Sequence, residues 1–110
     1  MTDLQTIKKK NMLFADKVRQ LREQKQLLQR NFAAAMDIDT PLFSKLERGE
    51  RRAKREQVIA IAKILQHDET ELLTFWLADK IITAIGNEKE LAEKALKVVG
   101  KEVKYDINKK

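Results

Sequence analysis

The chain has 110 residues, 36% charged and 43% hydrophobic, with a formal net charge of +6, which is apolar material enough for one compact domain and an appendage. It has no cysteine, one histidine (His67) and one serine (Ser44), which excludes disulfides, thiolate chemistry, sites needing two imidazoles and most hydrolytic machinery. Three glycines and one proline leave no phosphate-cradling loop, so an all-α protein is expected that is not an enzyme and carries no cofactor or metal.

No run approaches the ~20 apolar residues of a membrane span. The first eleven residues lack the apolar stretch and small-residue cleavage site of a secretory leader, so a soluble, cytoplasmic setting is expected.

In chain order, Phe14, Val18 and Leu21 follow the spacing of one helix face and predict a first helix over residues 13–25. Residues 29–36 are Ala-rich, with Phe32, Ala33 and Met36 on one face of a short second helix, and Asp37-Ile38 form the turn after it. Asp39 is a good N-cap for a third helix with Pro41 in its first turn and Gly49 at its end. Phe43 and Leu46 point inward there and leave Thr40, Pro41, Ser44, Lys45 and Arg48 for the other faces.

Residues 50–54 read as a basic loop, and Val58, Ile61, Ala62 and Leu65 mark a fourth helix. Asp68-Glu-Thr-Glu71 resembles a capping box opening a fifth, strongly apolar helix that Gly86 stops. Asn87-Glu-Lys-Glu90 is expected to cap a sixth, ending at Gly100, with a polar, frayed tail over 101–110.

Charge is unevenly spread. Residues 1–55 hold 14 Lys+Arg against 7 Asp+Glu, whereas 56–110 hold 9 against 10. The densest basic run, residues 45–55, favours a polyanion, because neutralised phosphates release counterions.

Two short helices joined by a tight turn, the second with polar and basic outward residues, follow the helix-turn-helix plan. The stretches Leu21-Arg-Glu-Gln-Lys, Gln29-Arg-Asn-Phe-Ala-Ala, Asp37-Ile-Asp-Thr, Phe43-Ser-Lys-Leu-Glu-Arg-Gly-Glu-Arg and Ile61-Ala-Lys-Ile-Leu resemble the Cro/CI-type (XRE) family of regulators. The resemblance covers roughly residues 13–73 and implies a lambda-repressor-like five-helix DNA-binding domain over 11–73. A C-terminal helical extension over 74–110 follows it.

By that resemblance Gln29 lies against the DNA backbone and the recognition helix runs over residues 40–48. Thr40, Ser44 and Lys45 read base edges, Pro41 and Leu42 offer apolar contact, and Arg48, Arg51, Arg52 and Lys54 hold phosphates. Arg22 and Glu47 match positions that form a structural ion pair. Four positions depart from the family pattern. Leu28 replaces a polar N-cap, Gln26 and Asp37 stand where relatives often have glycine, and Ala53 stands where proline is common.

The fifth helix is too apolar for a single buried stripe, so a second copy is expected to cover part of it. Phe75, Trp76, Ile81, Ile82 and Leu96 are the expected dimer contacts, with an intramolecular cap as the competing use of these residues. The implied function is a dimeric, sequence-specific double-stranded DNA-binding regulator, more readily a repressor than an activator. The rival is an antitoxin-like module that sequesters a protein partner through its C-terminal helices.

Overall fold

Six α-helices and no strand make up residues 12–103, the part that the computed structural model describes. They are α1 (Leu13–Gln24), α2 (Gln29–Met36), α3 (Thr40–Glu47), α4 (Arg55–Leu65), α5 (Glu69–Ile85) and α6 (Lys89–Glu102). The segment considered as a leader, the first residue of the expected 11–73 domain and the tail beyond 103 lie outside the described residues.

The helix ends follow from local chemistry. Asp39 Oδ1 accepts from the Leu42 backbone N–H at 2.8 Å and so caps α3. Leu28 has no acceptor to offer α2; instead the Asn31 side chain reaches back to accept from the Leu28 N–H at 3.0 Å. Gln57 does the same for Lys54 at the start of α4, at 2.8 Å. Between α2 and α3 the backbone turns through Asp37 at φ 60°, and the Ile38 N–H returns to the Ala33 carbonyl at 3.0 Å.

At α5 the expected capping box is only half made. Asp68 Oδ1 accepts from the Thr70 N–H at 3.1 Å, but the Glu71 carboxylate turns to the His67 ring one helical turn back. Gly86, at φ 55°, follows the last residue of α5. The end of the chain departs further from expectation. Glu88, not Asn87, is the N-cap of α6 and makes no side-chain cap bond. The helix also continues through Gly100 to Glu102, because the favourable backbone pattern outweighs one glycine's cost of ~1 kcal/mol.

The chain divides into two compact units, one reaching Lys80 and the other starting at Ile81, so the division falls inside α5. In the first unit Phe14, Val18 and Leu21 of α1 meet Phe32 and Ala33 of α2, Phe43 and Leu46 of α3, four residues of α4, and Leu72 of α5. Phe32 and Phe43 stack at 4.9 Å with an 18° interplanar angle, fastening α2 to α3. Among the described residues seven large side chains are fully buried, each contributing ~1.5–3 kcal/mol of transfer free energy.

Two contacts bring α5 into this unit well past residue 73. Trp76 Nε1 donates to the Ala53 carbonyl at 2.8 Å, and the Asp79 carboxylate accepts the Leu13 and Phe14 N–H groups at 2.9 and 3.0 Å. Asp79 thus caps α1 from a distant helix. Phe75 and Trp76, expected at a contact between copies, lie partly buried against this core. Lys80 Nζ lies 3.8 Å from the centre of the Trp76 ring, covering its outer face.

The second unit is the last turn of α5 with α6. No residue of α6 is buried, although its apolar residues fall on one side. Ile81 and Ile85 together with Leu91, Ala95, Leu96 and Val99 line a groove of about 400 Å³.

Candidate nucleic-acid interface

The face of α3 is set by which of its residues the core takes. Phe43, Leu46 and Glu47 are buried, which turns Pro41, Lys45 and Arg48 to solvent, with Thr40 and Ser44 half-buried beside them. These five positions recur at the spacing of one helical face. The structure therefore brings together on α3 the residues expected to meet base edges and Arg48, expected to hold a phosphate.

Beneath that face Glu47, at 3% exposure, holds three groups in register. Arg22 Nε and Nη2 donate to its two carboxylate oxygens at 2.5 and 3.2 Å, and Gln29 Nε2 donates to Oε1 at 2.8 Å. Arg22 Nη1 also donates to the Leu27 carbonyl at 2.9 Å, closing the turn between α1 and α2. A buried carboxylate with three charge-assisted or polar donors is satisfied, and Glu47 is withdrawn from any approaching phosphate. An amide nitrogen has two hydrogens, so Gln29 retains one N–H while bonded to Glu47.

Basic residues continue past α3. Gly49, at φ 76°, turns the chain, and the Glu50 and Arg51 N–H groups return to the Lys45 carbonyl at 2.9 and 3.3 Å. Arg51, Arg52 and Lys54 are exposed along the segment between α3 and α4, and Ala53 is buried beneath it. A buried alanine bonded through its carbonyl to Trp76 anchors the loop where a proline would stiffen it. The sequence reading missed this contact.

Arg48 is not loose in solvent. Its Nε and Nη2 donate to Glu50 at 2.7 and 3.1 Å, and its Nη1 donates to Ser44 Oγ. The Arg48 hydrogen bonds, with the charges of Arg48 and Lys45, hold the Glu50 carboxyl below the usual range. The arginine is correspondingly pushed up by the same carboxylate. Glu50 was not singled out from the sequence, since an acid two residues after an arginine is unremarkable until Gly49 folds the chain back.

Among the described residues no group of acids and His67 is arranged to hold a metal ion, and no helix is long and apolar enough to cross a membrane. No curated protein and no solved structure matches the chain. The model of the helix-turn-helix domain matches residues 13–75, which takes in α1 through α4 and the first turns of α5. The match spans more than half of the chain, and it coincides with the fastened α2–α3 pair and the polar face of α3: this protein belongs to the helix-turn-helix domain family.

Proposed function

We propose that the chain is a sequence-specific double-stranded DNA-binding transcriptional regulator of the Cro/CI (XRE) type, acting as a repressor in the cytoplasm. The observation that carries this reading is the exposed face of α3, polar and basic, on a helix pinned at both ends by Asp39 and by the Arg22–Glu47–Gln29 cluster. A helix held so firmly can enter the major groove as a rigid body. In this reading Lys45 donates to guanine O6 and N7, Thr40 and Ser44 take neighbouring base edges, and Pro41 packs on a thymine methyl. Gln29, Arg51, Arg52 and Lys54 hold phosphates and set the register.

A second copy completes the operator-binding species, presenting two recognition helices to half-sites about 34 Å apart. The exposed apolar residues of the second unit support this, with Ile81, Ile82 and Leu96 at 41%, 37% and 47% exposure. Phe75 and Trp76 are already engaged within the first unit, so Ile81, Ile82 and Leu96 carry the proposed contact. The same residues would serve a sequestered protein partner, and a chain that stays monomeric in the absence of such a partner would favour that rival.

Two substitutions test the reading on a duplex selected from a random library. Lys45→Ala weakens the selected duplex by ~1–3 kcal/mol and relaxes one base position, while Lys54→Ala weakens every duplex alike and lowers the salt slope by about one. If neither affects binding, α3 and its loop are not the recognition surface.

A further inference from the structure

The sequence assigns Arg48 to a phosphate, yet one edge of its guanidinium is already occupied by Glu50. Nε and Nη2 form a side-on pair with the two oxygens of Glu50, at 2.7 and 3.1 Å. Nη1 donates to Ser44 Oγ one turn back along α3, so the guanidinium is held between the reading face and Glu50 at the start of the loop. Glu50 is itself placed by backbone geometry. Gly49 at φ 76° reverses the chain, and the Glu50 N–H is tied to the Lys45 carbonyl at 2.9 Å.

We propose that Arg48 is a specificity-determining residue that reads a guanine, with Glu50 and Ser44 as the positioning residues that buttress it. This rests on the DNA-binding reading and changes the parts that Arg48 and Ser44 play in it. A guanidinium has five N–H donors in a fixed fork. Three are engaged here, leaving one hydrogen on each terminal nitrogen. Two donors on adjacent nitrogens are what guanine O6 and N7 accept from an arginine in the major groove. The Glu50 carboxylate also cancels the charge that would draw Arg48 to any phosphate, and the three bonds fix a side chain otherwise rich in rotamers. An arginine neutralised toward phosphates and held in one orientation contributes where a base edge matches it and little elsewhere.

The test uses the full chain, its selected duplex, single-pair variants of that duplex and a random duplex of equal length, over a salt series. Arg48→Lys retains the positive charge and loses the fork. It is expected to abolish discrimination at one G·C pair, where the unaltered protein loses about 5- to 150-fold on substitution, while random-duplex affinity stays within about twofold. Glu50→Gln is expected to lower discrimination at the same pair and to steepen the random-duplex salt slope by about 0.9, as one more cation meets a phosphate.

The proposal is overturned if Arg48→Lys leaves discrimination intact while Arg48→Ala weakens selected and random duplexes by one common factor. It is equally overturned if Glu50→Gln changes random-duplex affinity in an Arg48→Ala background as much as alone, since Glu50 then acts as bulk charge. An unaltered protein that prefers no duplex at all would instead remove the DNA-reading function itself, and this inference with it.

Discussion

Asp79 fixes the start of α1 from 66 residues away, and removing its carboxylate has a cost that follows from the structure. The side chain is 6% exposed and accepts two first-turn N–H groups of α1, at 2.9 and 3.0 Å. Hydrogen bonds to a charged acceptor contribute about 1.5–3 kcal/mol each, and losing an ordinary N-cap costs about 0.5–2 kcal/mol. The Leu13 N–H is partly accessible and can recover a water, whereas the Phe14 N–H is buried and cannot. Asp79→Ala is therefore expected to destabilise the fold by about 2–4 kcal/mol, a large fraction of a small domain's ~5–15 kcal/mol. Asp79→Asn should fall between, because its amide keeps one acceptor and sets an N–H against the other donor. Urea unfolding followed by circular dichroism reads both, with Asp68→Ala, which loses an exposed cap at α5, as the comparison costing about 1 kcal/mol. A loss under about 1 kcal/mol for Asp79→Ala would refute the cap as a main fastening of α1.

Gln26 sits at φ 56°, where a side chain costs about 1–2 kcal/mol and glycine nearly nothing, so Gln26→Gly should raise stability by about 0.5–1 kcal/mol after glycine's entropic penalty. An unchanged or lower urea midpoint would count against strain in that turn. Leu96→Glu places a charge in the groove of the second unit and is expected to convert a dimer into a monomer in sedimentation equilibrium without altering the unfolding of the first unit; an unaltered protein that sediments as a monomer would remove the proposed contact. The His67 hydrogen bond, helped by the charges of Lys17 and His67, holds the Glu71 carboxyl below its ordinary value of 4.5. Its stabilising contribution is present above that value and is lost as pH falls through the folded one, so the urea midpoints of the unaltered protein and Glu71→Gln should converge in acid. A gap that does not narrow at all as the pH is lowered below 4.5 would contradict the pairing.

What the sequence made legible was local. The spacings of Phe14, Val18 and Leu21, and of Val58, Ile61 and Leu65, identify α1 and α4, because a helix buries one face and those residues are it. Asp39, Gly86 and the left-handed turn at Asp37 could be read because each needs only its own neighbours. The face of α3 followed once Phe43 and Leu46 were assigned to the core. What escaped depends on chain segments brought together from afar. Asp79 reads as one polar residue in an apolar helix, and Trp76 as a contact for a second copy, until α1 and Ala53 are folded against them. The two residues therefore moved from an expected extension into the first compact unit, which reaches Lys80. Glu71 reads as a capping residue, but His67, also within its reach, competes for the same carboxylate. Gly100 reads as a helix stop, but α6 runs through it, because glycine ends a helix where the chain also takes a positive φ, as at Gly49 and Gly86.

The most direct test is specificity itself. The full chain is titrated at ~0.15 M salt against a duplex recovered by repeated selection from a random library, beside a shuffled duplex of equal length. A helix-turn-helix protein that reads bases through α3 should enrich a two-fold sequence and prefer it by about 10³ or more. Recovery of no common sequence, with equal and salt-labile binding to both duplexes, would contradict base reading and leave only a basic surface.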